Sequence, residues 1–128
     1  MTVSGLHHIA VICSDYAESK RFYSETLGLR IISEVYRAER ESDKLDLEIP
    51  GGVQIELFSF PAAPARLSYP EACGLRHLAF KVSDLDHDVA DLAGKGVSVE
   101  EIRTDPLTGK RFTFFADPDG LPIELYEE

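Results

Sequence analysis

The chain repeats itself, and that constrains its fold more than any other feature. Gly5-Leu6-His7-His8-Ile9-Ala10-Val11-Ile12-Cys13-Ser14-Asp15 returns as Gly74-Leu75-Arg76-His77-Leu78-Ala79-Phe80-Lys81-Val82-Ser83-Asp84. Gly5, Leu6, His8, Ala10, Ser14 and Asp15 recur unchanged, 69 residues later in each case. Both copies point to the same downstream tripeptide. Ile55-Glu56-Leu57 places its Glu 48 residues after His8, and Ile123-Glu124-Leu125 places its Glu 47 residues after His77. A fold for this chain must be built from two similar units, each with one His and one Glu in apolar surroundings.

Each unit reads as strand, helix and three strands. Leu6 to Cys13 alternates in a β-branched run, with Leu6, His8, Ala10 and Ile12 on one face and His7, Ile9, Val11 and Cys13 on the other. Asp15, with Glu18 three residues on, opens a helix whose apolar side carries Tyr16, Phe22, Tyr23 and Leu27, and Gly28 ends it. Strands follow over 29–37, 44–49 and 53–60, with Pro50-Gly51-Gly52 turning the chain between the last two. Closely spaced prolines at 61, 64 and 70 mark a linker over 61–73. The order then recurs. A strand over 75–82 precedes a helix capped by Ser83 or Asp84 that runs through Leu92, and strands follow at 97–103, 111–116 and 121–126. Asp117-Pro118-Asp119-Gly120 is a tight turn into the last of these. The chain is therefore α+β, two βαβββ modules (1–60 and 74–128) in one domain.

Charge narrows the partners. Thirteen basic residues against 23 acidic give −10, and no basic run stands out, so nucleic acid and anionic membrane surfaces are expected to repel the protein. No stretch is long and apolar enough for a membrane span or a signal peptide, and Cys13 and Cys73 make no disulfide framework. Cytoplasm is the expected address.

Alternation puts Ile55, Leu57, Ile123 and Leu125 on the faces that pack under the helices, so Glu56 and Glu124 project from the helix-free faces. A carboxylate held in mid-strand between isoleucine and leucine costs several kcal/mol if desolvated and unpaired. Two of them, each tied to a His by nearly equal spacing, call for a cation. Imidazole and carboxylate donors together suit Zn, Ni, Co, Mn or Fe(II).

His8 and His77, each seven residues before an Asp, the two Ile-Glu-Leu tripeptides, and Asp117-Pro118-Asp119-Gly120 leading into Glu124 resemble the vicinal oxygen chelate superfamily. That superfamily includes glyoxalase I, extradiol dioxygenases and the bleomycin resistance proteins. The resemblance covers nearly the whole chain and is closest to short bacterial glyoxalase I-like proteins. It implies a cup-shaped, eight-stranded mixed sheet with helices outside. It implies one divalent metal per site, Ni or Zn foremost, held by His8, Glu56, His77 and Glu124, two positions staying open for water or substrate oxygens. It implies a homodimer in which modules of two chains pair. The activity implied is that of a lyase or isomerase on a 2-oxoaldehyde adduct, such as a thiol adduct, or a similar small molecule with adjacent oxygens. In that chemistry the metal stabilises the enediolate left by a departing carbon-bound proton, and Glu124, or else Glu56, is the base. The family's other activities are the alternatives: an epimerase, a thiol transferase, or a protein that binds a drug without transforming it.

Two positions depart from glyoxalase I. Ile12 stands where the family places a glutathione-holding arginine, and Phe60 where it places an asparagine. Lys81 shares a face with His77 and is a candidate for an anionic substrate group, or else a lysine reaching solvent from a strand end. Arg37 and Arg111 are further candidates for the mouth of the site, with Arg40 and Lys44 beside them.

Overall fold

A computed structural model describes residues 1–128. The chain divides into two units, Met1–Ala65 and Arg66–Glu128. No helix is long and apolar enough to cross a membrane.

The first unit holds β1 (His8–Cys13), α1 (Tyr16–Arg21), β2 (Arg30–Arg37), β3 (Ser42–Glu48) and β4 (Gln54–Ser59). Its four-stranded mixed sheet has the order β1-β4-β3-β2, with β1 parallel to β4 and the other pairs antiparallel. Asp15 caps α1 by accepting the backbone N–H of Glu18 at 3.1 Å. The helix passes into a π-helical turn, Phe22–Thr26, which buries Phe22 and Tyr23 together. Gly28 then takes φ +72°, a left-handed conformation that costs a glycine nothing and ends the helix. Leu45, Leu47, Ile55 and Leu57 are fully buried, and Val11 and Cys13 are buried with them. These are the in-phase apolar residues of β1, β3 and β4, so period-two patterning sets which face is core.

The second unit repeats the plan with β5 (Leu78–Val82), α2 (Leu85–Gly94), β6 (Arg103–Thr104), β7 (Arg111–Ala116) and β8 (Pro122–Glu127), in the order β5-β8-β7-β6. Asp84 caps α2 through the N–H of His87 at 3.0 Å, and Leu85, Leu92, Phe115, Ile123 and Leu125 are buried. The architecture is the expected α+β pair of βαβββ modules.

Strand boundaries differ from the sequence reading at several places: the strand expected over 75–82 begins at Leu78, and the one expected over 44–49 begins at Ser42. The strand expected over 97–103 is regular only at Arg103–Thr104. Upstream, Glu100 N–H donates to the Phe114 carbonyl at 2.9 Å and Thr113 Oγ1 donates to the Glu100 carbonyl at 2.7 Å, isolated ties in place of a ladder. The proline-bearing stretch after residue 65 is also fastened down. Arg66 Nη2 donates to the carbonyls of Leu75 and Arg76 at 3.0 and 2.9 Å, and Arg76 Nη1 donates to Ser68 O at 2.8 Å.

Candidate functional site

The sequence repeat is also a repeat of register. Ala10 sits beside Glu56 across the parallel β1/β4 pair, and Ala79 sits beside Glu124 across β5/β8. A methyl group next to each carboxylate leaves room for the imidazole two residues earlier in the chain. His8 Nε2 lies 3.5 Å from Glu56 Oε2, and His77 Nε2 lies 3.1 Å from Glu124 Oε2. The glutamates are the more enclosed partners, with side chains 16% and 12% exposed against 42% and 36% for the histidines. Each pair stands on the helix-free face of its sheet, while the neighbours Ile55, Leu57, Ile123 and Leu125 are buried on the other.

A ligand nitrogen and oxygen each about 2.1 Å from one ion are separated by roughly 3.0 Å at right angles and roughly 3.4 Å at the tetrahedral angle. Both His–Glu separations match that spacing. Each module thus presents two hard-to-borderline donors suited to a divalent ion. No group of three or more His, Cys, Asp or Glu residues able to hold a metal gathers within the chain. The structure supplies the donors as two pairs.

The two faces differ around that shared motif. In module one, Asp46 is the cross-strand neighbour of Glu56, and Lys44 reaches both. Lys44 Nζ lies 2.9 and 3.1 Å from the two Asp46 oxygens and 3.9 Å from Glu56 Oε1. Burial pushes the Asp46 carboxyl up, but hydrogen bonds from Lys44 and Ser33, with the charges of Lys44 and His8, hold it below the usual range. Arg37 comes onto this face, with its guanidinium carbon 4.8 Å from the Phe58 ring centre, and Arg40 lies 5.1 Å from that of Phe60. In module two the neighbours are aromatic. Phe114 flanks Glu124 and meets His77 edge to face at 5.1 Å, and Phe112 stacks on Tyr126 at 6.3 Å. Lys81 is exposed beside Tyr126, in phase with His77 and Ala79. The Asp117 carboxylate accepts the N–H groups of Asp119 and Leu121, both at 2.9 Å, and shapes the turn that delivers Glu124.

Arg111 is not brought to this site. Its position in β7 is in phase with Thr113 and Phe115, on the helix side, and its guanidinium meets Asp86 at 2.9 Å and Glu127 at 3.0 Å. The hydrogen bonds from Arg111 hold both carboxyls below the usual range. Carboxylates held low stabilise the fold above their ordinary titration range, and that contribution is lost as pH falls from that range through their lowered one. Arg111→Met is therefore expected to flatten the acid fall of Tm below about pH 4, read from thermal melts across the acid range.

His7 also departs from simple alternation. It precedes β1, and its Nδ1 lies 2.9 Å from Nδ1 of His8, so the ring nitrogen of His8 facing away from Glu56 has a partner. A metal-ligating histidine commonly has such a partner on its other nitrogen, which fixes tautomer and ring orientation. Asp46, Lys44 and Arg103 complete the residues that sequence reasoning underused. The polar phase of Lys44, Asp46 and Glu48 against buried Leu45 and Leu47 was a signal available for the first two.

Comparison with known proteins agrees with the duplicated geometry. Residues 5–125 match a family model described as the glyoxalase/bleomycin resistance protein/dioxygenase superfamily. The uncharacterized protein YwkD of Bacillus subtilis (strain 168) is 61% identical over 128 residues, the full length of both chains. The crystal structure of a glyoxalase family protein from Enterococcus faecalis superposes with a TM-score of 0.91 at 47% identity, covering 99% of this chain and 100% of that one. A metallothiol transferase, FosB of Staphylococcus saprophyticus, is 29% identical over 97% of this chain and 77% of its own length.

Proposed function

The chain belongs to the glyoxalase/bleomycin resistance protein/dioxygenase superfamily, and from that premise we propose that it is a divalent-metal-dependent lyase or isomerase of the glyoxalase I kind. Its substrate is a 2-oxoaldehyde–thiol adduct or a similar small molecule with adjacent oxygens, and its setting is the cytoplasm. The observation that carries this reading is the pair of His–Glu couples at 3.5 and 3.1 Å, set in equivalent register on two apolar frames.

His8, Glu56, His77 and Glu124 would hold one ion, Ni or Zn foremost. The ion would supply Lewis-acid stabilisation of charge developing on substrate oxygens. The remaining work falls to the protein. The Glu124 carboxylate takes a carbon-bound proton and returns it to the neighbouring carbon. Phe112, Phe114 and Tyr126 provide an apolar wall that strengthens electrostatic interactions beside that carboxylate. Arg37, over Phe58, and Lys81 lie on the open faces where a substrate's charged tail would extend. The chain acts as a homodimer. Ile31, Ile32, Val35 and Tyr36 leave the edge strand β2 with exposed apolar side chains that a second copy would cover.

The test is thioester formation from methylglyoxal and a thiol, followed in the ultraviolet with protein stripped of metal and reloaded with Ni or Zn. Metal-dependent product is expected. Ile12, exposed, stands where the resemblance to glyoxalase I puts a glutathione-holding arginine, and Phe60, beneath Arg40, where it puts an asparagine, so several thiols belong in the trial. Metal-loaded protein that forms thioester with none of them contradicts the glyoxalase reading. Thiol transfer, as in the relative FosB, would then be the reading to pursue.

A further inference from the structure

We propose that the cavity beside His77 receives an anionic group of the substrate, a carboxylate or a phosphate, and that Arg103 selects it; the proposal rests on the metal-site reading above. The cavity, about 570 Å³, lies wholly within the second unit and is lined by Arg66, Arg76, His77, Glu100, Arg103 and Phe114 among others. That volume is ordinary for a small-molecule site. Its wall carries three arginines against Glu100 and Asp119, in a chain whose net charge is −10. A protein so acidic repels anions at long range, so an anionic group is held only where local cations overcome that field.

The three arginines have different occupations. Arg66 and Arg76 spend N–H groups on the carbonyls of the 66–76 stretch, so they contribute charge to the wall while staying in place. Arg103 is differently placed. Its guanidinium carbon lies 5.0 Å from the Phe112 ring centre and 5.8 Å from that of Phe114. A guanidinium lying on aromatic rings is oriented without using its N–H edge, and that edge matches a carboxylate or phosphate in bidentate fashion. Its ionic partner is Glu100, three residues away at 3.3 Å, with both side chains more than half exposed. An exposed pair of this kind contributes little, so an incoming anion displaces Glu100 at low cost. Phe114 links the two functions. It touches His77 on one side and supports Arg103 on the other. A molecule whose adjacent oxygens lie near His77 thereby has a cation within reach of its other end.

The experiment uses the full chain loaded with Ni or Zn and three hydroxamates, each offering the same pair of adjacent oxygens. Acetohydroxamate is neutral at its far end, succinohydroxamate carries a carboxylate and phosphonoacetohydroxamate a phosphonate. Calorimetric titration is expected to show at least one anionic probe binding about tenfold or more tightly than the neutral one, as a charge-assisted bidentate contact provides. The better of the two identifies the anion. Arg103→Gln is expected to abolish that preference and leave acetohydroxamate binding unchanged. Arg111→Gln removes the same charge from the other side of the sheet and should leave the preference intact. Equal binding of all three probes by the unmodified protein, or a preference that survives Arg103→Gln, overturns the proposal while the metal site stands. Failure of every hydroxamate to bind the metal-loaded protein overturns both.

Discussion

Glu124→Gln is expected to lower turnover of a thiol–oxoaldehyde adduct by about 10²- to 10⁴-fold, the range that a positioned general base supplies. Glutamine keeps the volume and one oxygen donor of glutamate but gives up the basic carboxylate. The same change at Glu56 should cost less, because the two carboxylates have different neighbours. Glu56 Oε1 lies 3.9 Å from the Lys44 ammonium, and Asp46 stands beside it in the sheet. Glu124 is flanked instead by Ala79 and Phe114, which offer no competing cation. The carboxylate facing methyl and phenyl groups is the better placed to move a proton. Steady-state rates of the two variants at matched metal content check this, with circular dichroism to confirm folding. Equal losses at the two positions would contradict the assignment of Glu124 as the base.

Much of this arrangement was legible in the chain because period-two patterning is strict where one sheet face is buried. Ile55 and Leu57 are fully buried and Glu56 is not, and the same holds for Ile123 and Glu124 between their neighbours. The capping aspartate Asp15 was equally readable, and the second cap was narrowed to Ser83 or Asp84, of which Asp84 holds the His87 N–H. Alternation failed at its edges. His7 lies outside β1, so nothing in the ladder holds it to the far face, and its ring meets His8. Arg111 looked like a mouth residue by charge, but its phase in β7 sends it to Asp86 and Glu127. Arg103 gave no sign at all. Its meaning depends on Phe112 and Phe114 of the neighbouring strand, a cross-strand relation that a one-dimensional pattern does not carry.

The largest expected effect concerns the ion. Each module gives only two donors, and a single His–Glu pair leaves most of a divalent ion's positions to water, so tight binding should need both pairs. His8→Ala with Glu56→Ala and His77→Ala with Glu124→Ala should each abolish tight binding, although either variant keeps one pair intact. If modules of two chains share the ion, an equimolar mixture of the two variants, allowed to exchange subunits, should regain about a quarter of the sites. Half its dimers are mixed, and each mixed dimer rebuilds one of two sites. The direct measurement is a calorimetric titration of metal-free protein with Ni or Zn, with elemental analysis of the product. One ion per chain, lost alike in both double variants, is the result expected. Two ions per chain, or tight binding that survives in either double variant, would contradict a single centre built from both halves of the repeat.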